Sequence, residues 1–220
     1  RVTWRPTVGV VPDKPWLVFQ SGGGLRIENF AFDAASPDGK VLCKIGPLVN
    51  GSATTLTGCE FRRFPEAAVV LSHTWNGPAP VVVEKCRFFQ ESWPDPNPDS
   101  GPCAIQIGGP GTLSEDAVVR DNRVEGRFAA AVRVNHAIRT AIEANRVLLA
   151  HNGIVYTGQG HHFQGTVSQN VFSGVASVFR FRATPLPWDN RPLRIQGNLF
   201  DQSRVIAVTE LPLPIPRDPT

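Results

Sequence analysis

The stretch Val119-Arg120-Asp121-Asn122-Arg123-Val124 and its echo Ile142-Glu143-Ala144-Asn145-Arg146-Val147 decide the fold. Each reads aliphatic, two variable residues, Asn, one variable residue, then Val. The pattern extends outward in both directions. Leu56-Thr57-Gly58-Cys59-Glu60-Phe61 and Val83-Glu84-Lys85-Cys86-Arg87-Phe88 precede it, with Cys in the Asn slot. Val167-Ser168-Gln169-Asn170-Val171-Phe172 and Ile195-Gln196-Gly197-Asn198-Leu199-Phe200 follow it. An earlier copy, Ile27 to Phe32, keeps both ends and has Phe30 in the Asn slot. The closing Phe or Val thus stands at 32, 61, 88, 124, 147, 172 and 200. Recurrence at such intervals is the signature of a solenoid.

The local period says which kind. The copies are short, rich in β-branched and aromatic residues, and bounded by Gly, Pro or Asn, so they read as strands. Each is followed by a second apolar strand, such as Val69-Val70-Leu71, Val132-Arg133-Val134 or Ile154-Val155-Tyr156. Stacked coils then pair strand on strand at about 4.8 Å. The aliphatic column (Ile27, Leu56, Val83, Val119, Ile142, Val167, Ile195) and the Phe/Val column should both face inward. The bend between them needs a residue that tolerates unusual backbone angles. Asn is expected there, bonding the same amide one coil away.

These columns resemble the right-handed parallel β-helix repeat of the pectin-lyase-like superfamily. The resemblance covers residues 25–209 and implies an all-β chain, a single right-handed parallel β-helix of about seven coils. Residues 1–24 are expected to form an N-terminal cap or incomplete first coil, and residues 210–220 a Pro-rich tail or linker. The fold hosts both enzymes and inert rods, so it does not itself imply an activity.

Composition narrows the rest. With 41% hydrophobic and 19% charged residues in 220, the chain is neither disordered nor collagen-like. No apolar run reaches the roughly 18 residues of a membrane span. The net charge of +3 balances 22 basic against 19 acidic residues, which argues against a nucleic-acid partner. The chain has no Met and begins at Arg1, read here as a segment of a larger, bacterial multidomain protein, with an extracytoplasmic setting favoured. Cys59 and Cys86 share one column and are expected as stacked, buried thiols without a disulfide. No CxxC pair and no convergent His set suggests a metal, and no cofactor is expected.

Three candidate sites remain. Arg87, Arg123 and Arg146 occupy one outward column, where like charges repel unless neutralised. The structural reading is neutralisation by Glu84, Asp121 and Glu143; the functional reading is a groove for an anionic ligand. Trp75, Trp93 and Trp188 fall in Pro-rich loops and are candidate platforms for sugar rings. Glu84, Asp121 and Glu143 are the alternative catalytic candidates, should the chain act on polysaccharides as the resemblance allows. Glu84, Arg120 and Glu143 alternate in sign, which reads as a stabilising charge ladder. The sequence therefore favours a non-catalytic interaction or carbohydrate-binding module over a lyase or glycoside hydrolase. Its expected partner is an anionic or neutral glycan or a protein, met as a monomer or weak dimer.

Overall fold

The computed structural model describes residues 2–4, 17–21, 25–33, 41–48, 53–64, 66–71, 80–91, 101–109, 114–135, 137–157, 163–181, 193–204 and 207–209. Within residues 2–21, 41–48, 163–164 and 207–209 only the backbone of the strands is described. All regular structure among the described residues is β-strand. Among the described residues no helix is long and apolar enough to cross a membrane.

One turn shows the plan. Ala117–Arg120 is followed by a tight bend, then by Arg123–Gly126, then by Ala130–Val134. Equivalent strands of successive turns pair in parallel and build three sheets, here called leading, middle and trailing. Among the described residues they hold seven, eight and eight strands on their main paths. Alternation along each strand sends one set of side chains into the lumen and the other outward.

Both inward columns form as the repeat requires. Leu56, Val83, Val119, Ile142 and Val167 stand in register and buried. So do Phe61, Phe88, Val124, Val147 and Phe172. Phe32, Phe61 and Phe88 stack with centroids 5.0 Å apart at each step. Burial of one such side chain contributes roughly 1.5–3 kcal/mol, so the columns dominate the stability of the rod.

The solenoid is about four turns long where it is described in full, rather than the seven expected from the repeat. The repeat counts every copy, including end copies whose inward side chains are not enclosed. Ile195 and Phe200 belong to the inward columns yet are 42% and 37% exposed. At the other end, Val2–Trp4 pairs with Phe30–Asp33, and Leu17–Ser21 with Val41–Leu48.

The bend differs from the expectation in one respect. The left-handed backbone falls on the residue before the Asn or Cys: Gly58, Lys85, Asp121, Ala144, Gln169 and Gly197 have φ of 64°, 54°, 55°, 53°, 57° and 63°. This residue turns the chain, so the next side chain points inward. The Asn is left in ordinary backbone and acts through its amide. Asn122 Nδ2 donates to Val83 O at 2.9 Å and to Asn145 Oδ1 at 3.0 Å. Asn145 and Asn170 repeat both bonds one and two turns on, and Asn198 Oδ1 accepts the last. In the two earlier turns the buried, reduced thiols of Cys59 and Cys86 take the position. Cys86 Sγ lies 3.6 Å from Leu56 O, and Cys59 Sγ 3.7 Å from Ile27 O. The hydrogen bond with Cys59 and its own burial push the Cys86 thiol pKa up, which keeps that sulfur protonated.

Candidate functional site

The middle sheet places Arg87, Arg123 and Arg146 in direct register on three successive strands. Inward neighbours Phe88, Val124 and Val147 are buried, so alternation turns all three guanidiniums outward. The rungs recur at the strand spacing, about 4.8 Å, giving a cationic row of about 10 Å along the rod.

The second outward column lies two residues further along the same strands. There Phe89, Glu125 and Leu148 stand in register. The outward face of these three strands thus carries three guanidiniums and one carboxylate. Glu125 serves both lower rungs: it pairs with Arg123 on its own strand, and its other oxygen lies 3.7 Å from Arg87 Nη2. The Glu125 carboxylate raises the Arg123 pKa above its ordinary value. Arg87 and Arg123 remain 59% and 48% exposed, so the pairing leaves them reachable. Arg146 is exposed and forms no ion pair with any described residue. Below the row, Glu60 lies under Arg87 in the same column and pairs with Arg62. Glu60, Arg62, Arg87, Phe88, Phe89 and Glu125 line an open depression of about 170 Å³.

The neutralising group is therefore Glu125, not Glu84, Asp121 or Glu143. Glu84 and Glu143 stand before the bend and Asp121 at it, so none of the three shares the face of the Arg row. Glu84 and Glu143 flank Arg120 in register on the leading sheet. Arg120 Nη2 reaches Glu84 Oε2 at 2.7 Å, and Thr57 Oγ1 lies 3.3 Å from Glu84 Oε1. The hydrogen bond and charge of the Arg120 guanidinium hold the Glu84 carboxyl below its usual range. Glu143 accepts from Thr166 Oγ1 at 3.2 Å. Asp121 is exposed at the left-handed bend position. The alternating ladder expected from the sequence is thus a formed ion pair at its lower step.

Phe89 and Glu125 were not among the residues the sequence singled out. The signal was present for both, because residues i and i+2 of a strand share a face. Reading two positions past Arg87 and Arg123 finds them. Trp75, Trp93 and Trp188 lie outside the described residues. Among the described residues no group of three or more His, Cys, Asp or Glu side chains converges to hold a metal. No family model, no curated protein and no solved structure matches this chain.

Proposed function

We propose that this chain is a non-catalytic interaction module, a right-handed β-helix of pectin-lyase-like type that holds an anionic ligand on its middle sheet. The observation that carries the reading is the row Arg87–Arg123–Arg146, exposed, in register and served by a single carboxylate. Like charges at strand spacing destabilise a sheet, and an external anion relieves that repulsion on binding. Guanidiniums suit the task because they stay charged and offer paired donors to planar or tetrahedral anions. Phe89, 38% exposed beside Arg62 and Glu125, adds an aromatic surface at one end of the row.

The competing reading is a polysaccharide-active enzyme using Glu84, Asp121 and Glu143. As a glycoside hydrolase it would need one carboxylate kept protonated near neutrality, and Glu84 is biased the other way; a lyase would need a base instead, and its unsaturated products would reveal it. A panel of anionic and neutral polysaccharides, scored for retention and for cleavage products, separates the two. Retention of anionic members without products, lost in Arg123→Glu, supports the module. Release of new chain ends overturns it, as does retention that ignores Arg123→Glu.

A further inference from the structure

Glu125 holds its place on the Arg row by two contacts of unequal closeness. It accepts a hydrogen bond from Arg123 Nη2 on its own strand. Its second oxygen lies 3.7 Å from Arg87 Nη2, beyond hydrogen-bond reach. Among the described residues its carboxylate makes no other ion pair or side-chain hydrogen bond. Phe89 directly below it and Leu148 directly above it have no polar side-chain atom to offer. The Glu125 side chain is 23% exposed on the outward face, so it can rotate off the row without a change in the backbone.

The other carboxylates on the described strands of this face are engaged elsewhere. Glu60, below Arg87, pairs with Arg62. Asp201, two strands above Leu148, accepts from Ser173 Oγ at 3.1 Å. An anion arriving at the row therefore meets two unlike steps. At Arg123–Arg146 Leu148 stands in the Glu125 position, and no carboxylate has to leave. At Arg87–Arg123 the anion is repelled by Glu125 or replaces it. A ligand with one anionic group gains the open step alone. A ligand with two, separated by about the 4.8 Å of one rung, can take both. Once its first group is seated, the second acts at high effective concentration and competes with the tethered carboxylate. We infer that Glu125 is an internal stand-in for the ligand's anion: it fills the Arg87–Arg123 step in the free protein and gives it up to ligands carrying two or more anionic groups at the strand spacing. The row thereby selects linear, multiply charged anions over single ones. This rests on the anionic-ligand reading above and gives it a selectivity.

The probes are methanesulfonate, with one anionic group, and propane-1,3-disulfonate, with two. Each is titrated into the whole chain and followed through the arginine Nε–H resonances. The disulfonate should bind at least tenfold more tightly than methanesulfonate. Glu125→Gln removes the competing charge at nearly constant shape. It should strengthen the disulfonate about fivefold, the size of one well-formed exposed ion pair, and change methanesulfonate less than twofold. Glu125→Asp, whose shorter side chain draws the charge back from Arg87, keeps the test open if the Gln variant does not fold, and should also strengthen the disulfonate. A disulfonate affinity that both variants leave unchanged or weaken overturns the inference, as does a disulfonate that binds no tighter than methanesulfonate. Retention of anionic polysaccharides, lost in Arg123→Glu, would then leave the anionic-ligand reading standing. If neither the wild type nor the variants bind any of these anions, the two fall together.

Discussion

Two outward columns run up the same turns at the same spacing, and they handle charge in opposite ways. On the leading sheet Glu84, Arg120 and Glu143 alternate, and Arg120 closes on Glu84 at 2.7 Å. On the middle sheet Arg87, Arg123 and Arg146 repeat one sign, and the only carboxylate on their strands comes from the neighbouring column. The first column is satisfied by its own fold. The second keeps positive charge uncompensated at its upper end. Identical backbone geometry therefore yields a closed face and an open one, and the choice lies in a handful of side chains.

Charge reversal in each column tests the contrast most severely. Arg123→Glu should cost the anionic ligand at least about thirtyfold in affinity, near 2 kcal/mol. Arg120→Glu, one strand earlier in the same turn, should leave that affinity within about twofold by titration calorimetry. Equal losses would erase the distinction between the faces. Ionic strength comes next. Going from about 0.1 M to about 1 M salt shortens the screening length from about 10 Å to about 3 Å. Ligand affinity at the open face should then fall about tenfold, and a salt-independent affinity would mean that charge is not what binds.

Smaller effects are expected in the free protein. Arg120→Glu sets three carboxylates in one column and should lower stability by about 1 kcal/mol in urea unfolding. Glu84 adds a pH signature. Its folded pKa lies below the ordinary value of 4.5, so its contribution is present above that value and is lost as pH falls through the folded one. Glu84→Gln should remove this acid-side loss, a change of about 0.5 kcal/mol for a partly exposed pair. An unchanged acid limb in the variant would show that the Arg120–Glu84 pair does not stabilise the rod.

The fold was legible to an unusual depth, for a physical reason. A solenoid turn contacts its immediate neighbours, so every structural demand recurs at a fixed place in the sequence. The aliphatic and Phe/Val columns, the Asn ladder and the buried thiols could all be read from recurrence. The placement of the left-handed residue could not. Lys85, Asp121, Ala144 and Gln169 share no composition, and three of the four are not residues one expects at φ near 55°. The ladder bonds of the following residue, Asn after Asp121, Ala144 and Gln169 and Cys86 after Lys85, hold the bend, and the residue before it needs only an outward side chain. The extent of enclosure was illegible as well, because Ile195 matches the repeat as well as Ile142 does, yet Ile142 is buried between two turns and Ile195 is exposed in the last described one.

The candidate site divides along the same line. Recurrence alone placed Arg87, Arg123 and Arg146 in one outward column, since burial of Phe88, Val124 and Val147 leaves their neighbours no other direction. Their counterion was a different matter. Glu84, only three residues before Arg87, is on another face because the bend intervenes, whereas Glu125 reaches Arg87 across a turn. Hydrophobic burial is a pattern along the chain and can be counted in the sequence. An ion pair is a distance between side-chain tips from different strands, and it exists only once the turns have stacked.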